Sequence, residues 1–293
     1  MRISVYLPML LSLALTTAAP LMARYLAPAL ATRTLTATTA IAAAASTWGL
    51  ALLSLTLLID TPPAQERLAI LDPVPTPIAS AAAIALVWGV WRGARTIRVR
   101  HCTEREMRAV CALCQPNGEL AVITDDTPHA YAVPGRPGRI LISTGLLRTA
   151  NATDRRVVLA HERAHLHHCH HRYRAVADLA AAINPLLVPT RTAVTYLVER
   201  WADEAAATVV GNRPTTARSL AKIALTTPSA SRGAVLAFHR HAVTERVRAL
   251  QAPPTPSVPA LAMACSLPAG LAALAAGDAT LAFLRLLAQP LGL

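Results

Sequence analysis

Apolar residues in this chain gather in long unbroken stretches instead of alternating with polar ones, and this clustering limits the fold more than any other feature. Residues 3–21, 39–59 and 75–91 form three such stretches, and residues 258–276 form a fourth. A helix that crosses a bilayer needs about 20 mostly apolar residues. The second stretch meets that length, while the third is short and Ala-rich. Pro268 and Gly270 interrupt the fourth, which membrane helices tolerate when neighbours satisfy the freed backbone groups. The first stretch has only Arg2 as a positive region and is followed by two more, so it reads as a retained span and not as a signal peptide. Hydrophobic residues make up 54% of the chain, more than in an ordinary soluble domain. The tail over 280–293, with Arg285 as its one charge, is expected at the interface or against the bundle.

Loop charges orient these spans, because basic loops stay in the cytoplasm. Arg24 and Arg33 lie between the first and second stretches. Asp60, Glu66, Arg67 and Asp72 lie between the second and third. Arg92, Arg95, Arg98 and Arg100 follow the third. The N-terminus is therefore expected outside, and everything from Arg92 to about Pro256 inside. Three units follow: 1–92 with three transmembrane helices, 93–256 as a cytoplasmic domain, and 257–293 as a C-terminal transmembrane helix with a short apolar tail. The protein is expected in the cell membrane.

The formal net charge is +12, but the arginines are spread along the chain, Lys222 is the only lysine, and aromatics are 4%. No basic block alternates with aromatic residues, so no nucleic-acid partner is expected. The cysteines Cys102, Cys111, Cys114, Cys169 and Cys265 are odd in number and suggest no disulfide framework. Cys111 and Cys114 form one C-x-x-C, read as two thiols a helical turn apart in a reducing compartment.

Within 93–256 the pattern is mixed. Residues 105–114 look helical, and 120–124, 130–133 and 139–143 look like short strands, with turns at Pro134-Gly135 and Pro137-Gly138. Thr144 is placed to cap a short helix around Leu146 and Leu147, and Asp154 to cap a long helix that carries His161.

That long helix holds His161-Glu162-Arg163-Ala164-His165. Positions i and i+4 share a helix face, so both imidazoles can meet one metal ion. Glu162, about 100° further round, is placed to reach an attacking water beside the metal, as general base. Zinc at such a centre has three protein ligands and one open position. Two candidates supply the third ligand. His171 follows His161 by ten positions, but His168 stands where a helix-breaking glycine is required, and an unbroken helix carries His171 off the face. The other candidate is Glu199, on a helix that Asn184-Pro185 and Pro189 allow to fold back, with Asp203 one turn further on to accept a hydrogen bond from a ligand histidine.

The stretches Ala130-Tyr131-Ala132, Arg139 to Leu147, Leu159 to His165, Asn184-Pro185-Leu186 and Glu199 to Glu204 together resemble the membrane-bound gluzincins of the BlaR/MecR antirepressor type. More distantly, they are similar to HtpX-type and CAAX-processing Ste-type peptidases. The resemblance implies zinc bound by His161, His165 and Glu199, with Glu162 as base. It implies a zincin-like, mainly helical α+β catalytic domain with a small sheet beside the transmembrane helices. It also implies a metalloendopeptidase that cuts a protein or peptide substrate, such as a repressor.

Residues 238–247 resemble a C-terminal family segment with a His before Arg-Val, and His241 is preferred to His239 as a cation for the oxyanion. Many relatives carry Asp where this chain has His170. His167 to His171 reads as a solvated helix end. The receptor members end in an extracellular β-lactam-binding domain, which is not expected here. Ala130, Tyr131, Ala132 and Val133 are expected to bind substrate as an added strand. Two readings compete with the peptidase: a membrane receptor or scaffold with a vestigial site, and an intramembrane protease, which the charges on the histidine helix disfavour.

Overall fold

The computed structural model describes residues 2–59, 74–113, 116–226 and 234–288, with side chains omitted at 2–3, 58–59, 113, 116–117, 226, 234–241 and 285–288. Helix α1 (Arg2–Tyr25) and helix α2 (Pro28–Ile59) form an antiparallel pair, and helix α3 (Thr76–Leu113) follows. A four-stranded sheet comes next, with β1 (Pro116–Asn117), β2 (Leu120–Ile123), β3 (Ala130–Val133) and β4 (Arg139–Ser143). Then come α4 (Thr144–Thr149), α5 (Ala152–His167) and α6 (His170–Ile183). A 3₁₀ turn (Pro185–Leu187) leads to α7 (Val188–Val210), α8 (Arg213–Thr226), α9 (Ala234–Gln251) and α10 (Pro259–Ala288). The architecture is a mainly helical α+β one.

Four of these helices are long and apolar enough to cross a membrane, over Ser4–Tyr25, Pro28–Leu57, Thr76–Ala112 and Pro259–Leu284. Leu10, Leu13, Ile84, Val87, Trp88 and Leu274 are all more than half exposed on them. Apolar surface on that scale marks a face that meets something other than water. Helix α3 does not stop near residue 92. It continues in one piece to Leu113, so a single rod joins the apolar bundle to the sheet.

Helices α6 and α7 form a hairpin whose tip sits among α1, α2 and α3. Ala177, Ala180, Leu187, Val194 and Val198 share one core with Leu15, Met22, Leu35 and Ala43. Asn184 caps the tip: its side-chain oxygen accepts from the Leu186 N–H at 3.1 Å, and its amide donates to Ser12 and Ser46 at 3.1 and 3.0 Å. Gly89 lets α3 come close, since a Cβ there would lie 3.0 Å from the Ile183 carbonyl oxygen.

The strand order is β1-β2-β4-β3, with β2 parallel and β3 antiparallel to β4. β3 is therefore an edge. Ser143, and not Thr144, caps α4, accepting from the Leu146 N–H at 3.1 Å, because Thr144 is already the first helical residue. Gly145 follows because a Cβ there would collide with the Asp126 carbonyl. Asn151, and not Asp154, caps α5. Asp154 sits three residues further on and completes a capping box. Its carboxylate also accepts from Ser219 at 2.7 Å and Lys222 at 2.6 Å, which ties α5 to α8. Both polar groups of the Ser219-Leu220-Ala221-Lys222 quartet are held by this carboxylate.

Candidate metal centre

His161 and His165 lie one turn apart on α5, with their Nε2 atoms 3.1 Å from each other. Glu199 on α7 brings its carboxylate oxygens to 3.5 Å from each of those nitrogens. Among the described residues these three form the one group of three or more metal-ligating side chains whose ligand atoms all lie within 4.8 Å. A tetrahedral zinc with bonds of about 2.0–2.1 Å requires ligand atoms roughly 3.3 Å apart. The 3.1 Å between the imidazole nitrogens is close to that requirement, and each nitrogen has a different Glu199 oxygen at 3.5 Å.

Each imidazole turns its other nitrogen to a buried partner. His161 Nδ1 lies 3.0 Å from Asp203 Oδ1, and Asp203 is 4% exposed. His165 Nδ1 lies 2.9 Å from His170 Nδ1, and His170 is 1% exposed. For His165 to present a lone pair at Nε2, its Nδ1 must carry the proton and donate it to His170. His170 then carries its own proton on Nε2, a buried atom without a hydrogen-bond partner.

The chain reaches this arrangement because α5 ends early. Cys169 takes a left-handed conformation with φ of 53°, and α6 restarts at His170. The break replaces the unbroken helix expected from the sequence. It delivers His170, not His171, to the histidine pair, and His171 is not in the ligand group. His168 caps α5 and stacks on Trp201 with ring centroids 4.6 Å apart.

Two arginines complete the charge balance. Arg246 on α9 donates to both Asp203 oxygens at 2.7 Å and lies 3.1 Å from Glu199 Oε2. Arg174, one turn beyond His170, pairs with Glu199 Oε1. Burial opposes ionisation of Asp203 and Glu199. Asp203 is nevertheless lowered chiefly by the Arg246 charge, and Glu199 well below its usual range by its hydrogen bond to His161 and the Arg246 charge. Burial also opposes the His161 cation, but the two carboxylates outweigh it and raise its pKa to about 10. Burial and the His161 charge push His165 down to about 2. Burial, then the charge of His168, lowers His170 to about 3.

Glu162 is not one of the three grouped ligands but lines the same cleft as they do, beside the sheet. Its Oε2 accepts from the Ala132 N–H on the free edge of β3 at 2.7 Å. Burial raises its pKa to about 7. A cleft of about 540 Å³ opens here between α3, β3 and the histidine helix, lined by Ala130 to Pro134, Glu162, His165, His170, Arg174 and Glu199. The structure brings His161, Glu162, His165, Glu199, Asp203 and the 130–133 strand together at one place. The sequence reading missed His170, Arg174 and Arg246. Arg246 stands inside the 238–247 segment that drew attention to His241, whose side chain, with that of His239, lies outside the described ones. Cys111 is buried against Ala121, Val133 and Leu141, and Cys114 is outside the described residues.

No curated protein and no solved structure matches the chain. Residues 94–196 match the model of peptidase family M48. The matched segment takes in the sheet, the histidine helix and the α6–α7 turn, ends just before Glu199, and supports a metallopeptidase.

Proposed function

We propose that the chain is a membrane-anchored zinc endopeptidase of the gluzincin type, with His161, His165 and Glu199 as the zinc ligands. The observation that carries this reading is the convergence of the two Nε2 atoms, 3.1 Å apart, with a Glu199 carboxylate oxygen 3.5 Å from each, and each imidazole braced from behind. When bound, zinc supplies the Lewis acidity that makes water a nucleophile near neutral pH. Glu162 takes the proton of the attacking water and delivers it to the leaving amine. Asp203 holds His161 in its ligand tautomer and His170 does the same for His165. Arg246 and Arg174 keep Glu199 ionised. Substrate lies extended along the outer edge of β3 over Ala130 to Val133, where the outward backbone groups pair without demanding a sequence and Glu162 releases the Ala132 N–H. That mode suits a protein substrate, and a repressor of the kind cut by BlaR/MecR proteins is one candidate. Purified chain should cleave a general protein substrate, lose activity to a chelator and regain it with zinc. Bound zinc without any chelator-sensitive cleavage would favour the receptor or scaffold reading.

His170 gives a specific expectation. Removing a residue that orients a metal-ligating histidine costs about 10–100-fold in metal affinity. His170→Ala should weaken zinc binding by that factor, measured by competition with a chelating dye, and His170→Asp should restore most of it by accepting the same Nδ1 proton. Equal affinity in His170→Ala and wild type would remove His170 from the site's support.

The reading places the catalytic unit, about 93–256, in the cytoplasm, on the strength of Arg92, Arg95, Arg98 and Arg100. A reporter fused after Arg100 should behave as cytoplasmic. An external signal there would invert the topology.

A further inference from the structure

A second groove, of about 990 Å³, adjoins the catalytic cleft and shares Glu104, Pro134, Leu166 and His171 with it. Its lining is strongly basic. Arg108, Arg136, Arg163 and Arg172 face it, against Glu104 and Glu119 as the acidic residues. Arg108 pairs with Glu104, and Arg163 with Glu119. Arg136 and Arg172 are exposed and have no acidic partner among the described residues. Unpaired guanidiniums beside a cleft seek carboxylates.

We infer that this groove receives an acidic stretch of the polypeptide substrate, which rests on the edge-strand placement proposed above. The free edge of β3 runs from Ala130 to Val133 and hands on directly to Pro134, where the two cavities join. A chain paired antiparallel to β3, the more stable pairing, passes its amino-terminal side over Val133. Glu162 meets the strand at Ala132, so the scissile bond lies near that residue. Side chains a few positions amino-terminal to it then enter the groove, where Asp or Glu would meet Arg136 and Arg172. The groove thus adds a charge preference to a strand that reads backbone alone.

The test uses detergent-solubilised full chain and two internally quenched peptides. They are identical except that three positions amino-terminal to the cleavage site carry Glu in one and Gln in the other. Wild type should cleave the Glu peptide with a kcat/KM about tenfold higher, the scale of two or three exposed ion pairs. That gap should shrink at high salt. Arg136→Glu with Arg172→Glu should abolish or invert the preference and leave cleavage of the Gln peptide near wild type. Fluorescence anisotropy on the Glu162→Gln chain measures binding of both peptides without turnover. If wild type cleaves neither peptide but still binds the Glu peptide more tightly, the peptidase reading fails and the groove stands. If the two peptides bind alike, or the double variant loses both equally, the groove has no such role.

Discussion

Glu162→Gln is expected to keep its zinc and its place in the membrane and to lose turnover by at least about 100-fold, the low end for removing a general base. The geometry separates the two functions. Glu162 directs its carboxylate to the Ala132 N–H on the strand edge, at 2.7 Å, and is not one of the three grouped ligands. A glutamine there can still accept that hydrogen bond through its amide oxygen, so the edge strand and α5 should stay in register. It cannot take a proton from water at neutral pH. Zinc content by atomic absorption should match wild type, and bound peptide should remain uncut. Wild-type cleavage by this variant would rule out the proposed mechanism whatever the metal content. Loss of zinc instead would mean that Glu162 belongs to the ligand set.

Glu199→Gln is expected to bind zinc at least ~100-fold more weakly and to be inactive for that reason. A four-ligand structural zinc site holds its ion by about 10–16 kcal/mol, so roughly 2.5–4 kcal/mol rests on each ligand, and each 1.4 kcal/mol is about tenfold in affinity. The choice of glutamine matters. Glu199 also pairs with Arg174 and Arg246. Alanine would leave those cations facing each other, and removing one partner of a buried pair costs about 3–5 kcal/mol. Glutamine keeps the volume and one accepting oxygen. Thermal unfolding in excess chelator measures the cost of the lost charge by itself, and the further rise on adding zinc should be far larger for wild type than for the variant. A variant that is stabilised by zinc as strongly as wild type would exclude Glu199 as a ligand.

The site was legible in the sequence where helical periodicity settles direction. His161 and His165, and Glu199 and Asp203, are pairs at i and i+4, and each pair falls on one face wherever the helices go. The edge strand was legible because Pro134-Gly135 closes it, and β3 and β4 fall at the expected residues. Helix caps were misplaced by one to three positions, since Thr144 and Asp154 are as suitable by composition as Ser143 and Asn151. Arg246 was hard to place because nothing local links α9 to α7. Only the fold brings its guanidinium to Asp203. His170 depends on one residue, Cys169, entering the left-handed region without being glycine or asparagine, which no propensity foretells. The long apolar helices were visible as apolar stretches, but their ends were not, because α2 and α3 continue as helices beyond their apolar segments.

The Asn184 clamp roots α7 between α1 and α2. Its root is held by Ser12 of α1 and Ser46 of α2, and Glu199 stands eleven residues along the rod from Val188. At 1.5 Å per residue that arm is about 16 Å long. Val194 and Val198 seat that length on the same core as Leu15, Met22, Leu35 and Ala43, so the candidate third ligand is held to α1 and α2 along the whole rod, and the packing of the apolar bundle sets where the carboxylate stands relative to the histidine pair.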